Sequence, residues 1–333
     1  MLDPGDTLRQ RERLVKAGVG RVALPPSAVG DPVFKAIIGA FAFVILVLLG
    51  GIAVALTVRA MPSIRHFGFA FVSSTDWNPN TDEYGALAFI YGTAVSSAIA
   101  LMIAVPLSLG VALCLSEIVP EWLGRKLGFL VELLAAIPSV VYGLWAIFVL
   151  GPWLRDWVEP VLSAYFGFLP LFAGPHVSVG MLTAGVLLAI MVLPYVAAVC
   201  TDVFRAVPQS QREVALALGA TKWEMIQMAV LPYGTSGVIG AIMLGLGRAL
   251  GETIAVAMVI GNRPVISASL FAPSSTLASV IANEFVEAMT ELNVAALLEV
   301  ALVLLVLGLI LNVAARLLMF GAAQRRFYGA SAL

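Results

Sequence analysis

Arg248 and Glu252 stand four residues apart inside the apolar stretch 235–261, a spacing that puts both on one face of a helix and lets them pair. A charged side chain at the centre of a membrane span costs about 2.5 to 3.5 kcal/mol on insertion scales, so one that persists there faces protein or water. A guanidinium presents two parallel N–H groups to a tetrahedral oxyanion and keeps its charge near neutral pH. The carboxylate repels an anion unless it is protonated or neutralised by the arginine. In the second case Glu252 holds Arg248 in an empty pathway and yields it to a passing anion. The alternative is a permanent salt bridge that fixes the helix against its neighbours. Glu132 in the third apolar stretch, and Glu299, Asn312 and Arg316 in the last, are weaker candidates. Glu299 and Arg316 lie near the ends of their stretch, where long side chains snorkel to the interface.

A second constellation is polar. Ser210 with Glu213, and Thr221 with Glu224, repeat the capping-box spacing on either side of Gly219. They read as two short helices, with Gly219 in the left-handed conformation that ends the first and Pro232 interrupting the pairing before the next apolar run. A DNA-reading helix pair is the alternative. The segment sets only Arg212 and Lys222 against Glu213 and Glu224 and is tethered to apolar stretches, so no nucleic-acid partner is expected.

The elements that must position these residues follow from composition. Of 333 residues 61% are hydrophobic and 12% charged, with a mean hydropathy of +1.00, which describes an all-α integral membrane protein whose solvent is largely lipid. Crossing a bilayer takes about 20 apolar residues. Six stretches qualify, at 34–58, 86–116, 127–150, 177–200, 235–261 and 295–320, and predict six helices. The apolar piece 161–173 is too short and is broken by Gly167 and Pro170, so it reads as interfacial or re-entrant. Gly240, Gly245, Gly247 and Gly251 in the fifth stretch are expected to let neighbouring helices approach closely.

Lysines and arginines in the loops beside Arg125, Arg205 and Arg212, together with those near both ends of the chain, outnumber Arg59, Arg65, Arg155 and Arg263 on the opposite side. The positive-inside rule therefore puts both termini and the polar segment in the cytoplasm. The organisation predicted is a basic leader over 1–33, a six-helix domain over 34–320 with a cytoplasmic loop at 202–232, and a tail over 321–333.

Several chemistries are excluded or demoted. Cys114 and Cys200 both fall in apolar stretches and read as small buried hydrophobes, with no disulfide, metal or redox role. The string Gly234-Thr235-Ser236-Gly237 suggests a serine protease, yet the two histidines, His66 and His176, fall in loops on the other side of the membrane. No glycine-rich loop with the lysine that cradles phosphates is present, so ATP and Mg are expected on another subunit and no cofactor in this chain. A secondary transporter driven by an ion gradient is a rival, though no internal repeat is evident.

Residue strings carry the resemblance. Glu213, Ala215, Gly219 and Leu231-Pro232 match the spacing of the EAA loop of permease subunits in bacterial ABC importers, departing from it at Val214, where a second alanine is usual, and at Ala229, where isoleucine is usual. Trp77-Asn78-Pro79 and the strings 85–93, 136–143 and 247–253 resemble phosphate-importer permeases of the PstC type, and together they cover roughly 33–320. The resemblance implies a type I ABC importer permease fold in the bacterial inner membrane. It also implies a homologous second permease of the PstA type, an ATPase dimer of the PstB type and an external phosphate-binding protein of the PstS type. By the same resemblance Glu213, Ala215, Gly219, Thr221, Glu224, Leu231 and Pro232 form the surface that docks the ATPase, and Arg248 with Glu252 matches the family's functionally sensitive pair. Chemistry alone allows sulfate or molybdate in place of phosphate.

Overall fold

The computed structural model describes the backbone of residues 30–330 and the side chains of 33–314, 316 and 317. The expected leader up to residue 29, the last three residues, and the side chains of Arg325 and Arg326 lie outside the described residues. In chain order, apart from the single turn Ala70–Ser73, the helices are α1 (Gly30–Phe67), α2 (Leu87–Ile118), α3 (Glu121–Ala135), α4 (Ser139–Phe166), α5 (Met181–Arg205), α6 (Gln209–Ala217), α7 (Lys222–Gly251), α8 (Ile254–Val259), α9 (Leu277–Glu284) and α10 (Glu291–Ala330). A short antiparallel hairpin of β1 (Trp77–Asn78) and β2 (Glu83–Tyr84) separates α1 from α2. The chain divides at Ala55 into two compact units. Of the first, the described part is the start of α1, apolar and exposed at Phe34, Phe41 and Leu46. The packing and the site described below belong to the second unit.

Among the described residues five helices, α1, α2, α5, α7 and α10, are long and apolar enough to cross a membrane, and the bent pair α3–α4 makes a sixth. The expected third span, 127–150, falls within this pair, turned by 85° at Ala136-Ile137-Pro138. Proline has no N–H to continue the ladder and pushes its predecessor out of helical geometry. Tyrosine hydroxyls reach the carbonyls at the end of α3: the Tyr142 hydroxyl donates to Leu134 O at 2.9 Å, beside the Ile137 N–H, and the Tyr195 hydroxyl to Ala135 O at 2.8 Å. The first residues of 161–173 continue α4 to Phe166, and a single 3₁₀ turn, Pro170–Phe172, follows.

The fifth span also differs from the expected continuous 235–261. It starts earlier, at Lys222, and ends at Gly251, where Glu252 is extended (φ −71°, ψ 126°) before α8 begins. Pro232 does not interrupt it. A π turn at Ile226–Val230 widens the helix just before the proline, at the place where its ring would otherwise crowd the preceding turn.

The core forms around α5, whose apolar window is 67% buried against 33% for α2 and 28% for α7. Close approach between α5 and α7 depends on absent side chains. A methyl at Gly245 would stand 2.7 Å from Val196 Cγ2, and one at Gly237 2.4 Å from Val203 Cγ2. Gly240, Gly247 and Gly251 have no such neighbour, so of the glycines expected to mediate packing only Gly245 does so. A smaller core gathers Phe71, Tyr84, Phe89, Leu277 and Leu297. Trp77 packs edge-on against Tyr84 and Phe89 there, and its Nε1 donates to Glu284 Oε2 at 2.7 Å.

Candidate functional site

Arg248 occupies the last turn of α7, and its Nη2 lies 3.6 Å from Glu252 Oε2. The two residues predicted to pair are brought together, but across the end of a helix and not along a continuous helical face. At that distance the contact is an ion pair without a good hydrogen bond. Glu252 is buried, with 7% of its side chain exposed, whereas 35% of Arg248 is open. The Nε of Arg248 is buried and has no acceptor. Its guanidinium carbon lies 4.8 Å from the centre of the Tyr195 ring, within cation–π range. Beside it, Gly247 and Gly251 leave open space where side chains would stand. The arginine is therefore held by a ring and one loose carboxylate contact.

Tyr195 is the member sequence reasoning missed. It lies on α5, and its hydroxyl is the donor that closes α3 at Ala135. Two breaks, at Ala136-Ile137-Pro138 and at Glu252, thereby meet on one side chain. They also meet through the backbone, since a methyl at Gly143 in α4 would come 3.2 Å from the Ala255 Cα in α8. The available signal was a tyrosine inside a span, whose hydroxyl needs a partner when buried. Nothing in the sequence said which partner.

The polar segment is built from α6, a turn and the start of α7. Gly219 has φ +86°, left-handed geometry that a side chain would strain. The Gly219 N–H donates to Leu216 O at 3.0 Å and the Ala220 N–H to Ala215 O at 3.2 Å, the two bonds of a Schellman ending. Thr221 then caps α7: its Oγ1 accepts from the Glu224 N–H at 3.3 Å, and Glu224 Oε2 accepts from the Thr221 N–H at 2.8 Å. The box expected at Ser210 and Glu213 does not form. Pro208 takes the cap position with φ −58°, so α6 starts at Gln209 and Ser210 is already inside it.

Ala215, Met225, Ile226 and Val230 face inward to Phe204 and Val207. Glu213, Thr221, Glu224 and Pro232 are exposed, and Leu231 is half-buried. Around the Gly219 turn Val214, Leu218 and Trp223 stand 61%, 84% and 58% exposed. An apolar rim on an otherwise polar turn is surface suited to a partner.

The weaker candidates separate. Glu132 is exposed on α3. Glu299 does not snorkel: it is 6% exposed, its Oε2 has no partner, and it lines an apolar groove with Ile64, Val303 and Leu307. Asn312 donates to Gly308 O within its own helix at 2.7 Å, and Arg316 is exposed.

The sequence model of the family described as binding-protein-dependent transport system inner membrane component matches residues 104–322. The phosphate transport system permease protein PstC of Mesorhizobium japonicum is 47% identical over 297 residues, covering 88% of this chain and 91% of that one. The protein of the same name in Pasteurella multocida is 46% identical over 282 residues, covering 84% and 88%. An inward-facing structure of the MetNI methionine ABC transporter covers 71% of this chain and 94% of its own, at 18% identity and a TM-score of 0.49.

Proposed function

Because this chain belongs to the family of binding-protein-dependent transport system inner membrane components, and within it to the PstC-type phosphate permeases, we propose that it is the subunit that carries phosphate across the bacterial inner membrane in an ATP-driven importer. It lines the pathway with a second permease of the PstA type and receives phosphate from an external binding protein of the PstS type. Energy comes from an ATPase pair of the PstB type, which holds the ATP and Mg. Both termini and the segment 202–232 face the cytoplasm.

One observation carries this reading. The helix capped by Thr221 beside the exposed rim of Val214, Leu218 and Trp223 is the same helix that ends at the Arg248–Glu252 break. Its 30 residues span about 45 Å. A push on the rim therefore has a rigid route to the arginine.

Phosphate carries about one to two negative charges near neutral pH. Arg248, 35% open, offers it the guanidinium N–H groups that the 3.6 Å contact leaves unused, while Glu252 holds the guanidinium between passages. Displacing one loose contact leaves the arginine seated on Tyr195, so it is available again after the anion departs.

The test is purification of this chain with the second permease and each candidate ATPase, followed by ATP hydrolysis with the loaded binding protein. Phosphate should stimulate hydrolysis where sulfate and molybdate do not. Phosphate uptake that persists without the ATPase and collapses with an uncoupler would replace this reading by the gradient-driven one.

A further inference from the structure

Resting on the coupling role proposed for segment 202–232, we propose that Arg212 and Glu117 form an internal latch that makes α6 move as one body with the ends of α2 and α5, and so transmits the ATPase stroke. Glu117 lies in the π turn Cys114–Ile118 that closes α2, and Arg212 lies on α6. Their side chains are 5% and 13% exposed. The guanidinium grips the carboxylate with two bonds, Nη2 to Oε1 at 2.8 Å and Nε to Oε2 at 3.3 Å. The same group donates from Nη2 to Phe204 O at 2.7 Å and from Nη1 to Val207 O.

Phe204 lies in the last turn of α5 and Val207 just beyond its end, and the guanidinium adds to the bond that Phe204 O already accepts from the Val207 N–H. A single cation thus neutralises the acid that ends α2, caps α5 and is carried by α6. Lysine cannot reproduce this. It offers a point charge on a flexible stem in place of a planar fork that reaches several acceptors at fixed angles.

The placement gives the latch its role. The outer side of the segment carries Val214, Leu218 and Trp223, and the inner side carries Arg212. A force on the outer side reaches α5 through the bonds to Phe204 and Val207. On α5 sits Tyr195, the support of Arg248. The latch is therefore the polar link between the docking rim and the anion site. Arg212 is a positioning residue, and it touches no substrate.

The experiment compares wild type, Arg212→Lys, Glu117→Gln and the double variant in the full complex with second permease, ATPase pair and binding protein in liposomes. The readouts are ATPase retained per permease, basal ATP hydrolysis, and hydrolysis and phosphate uptake stimulated by the phosphate-loaded binding protein. Retention and basal hydrolysis should stay at wild-type levels while stimulated hydrolysis and uptake fall about tenfold. The double variant should be no worse than either single one, because both weaken the same charged, two-bond link. Glu117→Gln preserves shape and acceptor oxygen, so it reports on a folded chain even if Arg212→Lys assembles poorly. Wild-type stimulation in the variants would overturn the latch. Loss of the ATPase from the variants would reduce the pair to scaffolding of the docking face and overturn it equally. A wild-type chain that retains no ATPase is a separate result: it removes the coupling role itself.

Discussion

The ring of Tyr195 lies 4.8 Å from the guanidinium carbon of Arg248, and the hydroxyl of the same tyrosine donates to the carbonyl that ends α3 at Ala135. One side chain on α5 thus connects a bent span to the charge at the end of another. Tyr195→Phe keeps the ring and orphans the carbonyl, a loss of about 1 kcal/mol. Tyr195→Leu removes the cation–π contact as well, for about 2 kcal/mol more. Radiolabelled phosphate uptake should fall several-fold in the first variant and further in the second. Equal uptake in Tyr195→Leu and wild type would show that the ring does not support the arginine.

Arg248→Gln removes the charge and the fork. Two charge-assisted bonds are worth about 3 kcal/mol or more, so uptake should drop about 100-fold. Arg248→Lys should fall between, since it keeps the charge alone. Glu252→Gln frees the arginine and should tighten phosphate binding while slowing its release. Wild-type rates in both glutamine variants, once inserted and assembled, would make the pair a fixed strut.

Gly219→Ala forces a side chain into left-handed geometry at a cost of about 1 to 2 kcal/mol. Thr221→Ala removes the cap of α7 at a cost of about 1 kcal/mol. Both should weaken retention of the ATPase during purification and leave membrane insertion unchanged. Insertion failure with normal retention would contradict the docking role of this turn.

Glu284 lies on α9, outside the membrane-spanning segments, and burial raises its pKa even though the Trp77 N–H bond to the carboxylate opposes the shift. A carboxyl whose folded pKa is raised gives stability that is complete below its unfolded value, about 4.3, and is lost as pH rises through the folded one. Thermal unfolding in detergent should therefore show Glu284→Gln, whose amide oxygen still accepts from Trp77, gaining on wild type as pH rises from 4 to 8. A difference that stays flat over that range would show that Glu284 does not ionise there.

Hydropathy made the spans legible because apolar runs of sufficient length have few other uses. Thr221, Glu224 and Gly219 were legible because caps and left-handed turns are local chemistry. The breaks were not. A window average is blind to backbone direction: Pro138 permits a kink without fixing its angle, and the extended Glu252 leaves no mark in its apolar stretch. Ser210 failed as a cap because the rigid ring of Pro208, two residues earlier, started the helix first. Tyr195 with Arg248 and Glu117 with Arg212 were out of reach because each pair is distant in sequence and only the packed bundle brings it together.

The wide turn Ile226–Val230 holds one residue more than an ordinary helical turn. In a helix one residue amounts to about 100° of rotation. Deleting a single residue there, so that the turn closes as regular α-helix, would keep the Thr221 cap and the Arg248 break in phase, whereas deleting one from a regular turn of α7 would swing the arginine away from Tyr195. The wide turn is thus an angular spacer: it takes up a surplus residue without changing the phase between the Thr221 end of the helix and its Arg248 end.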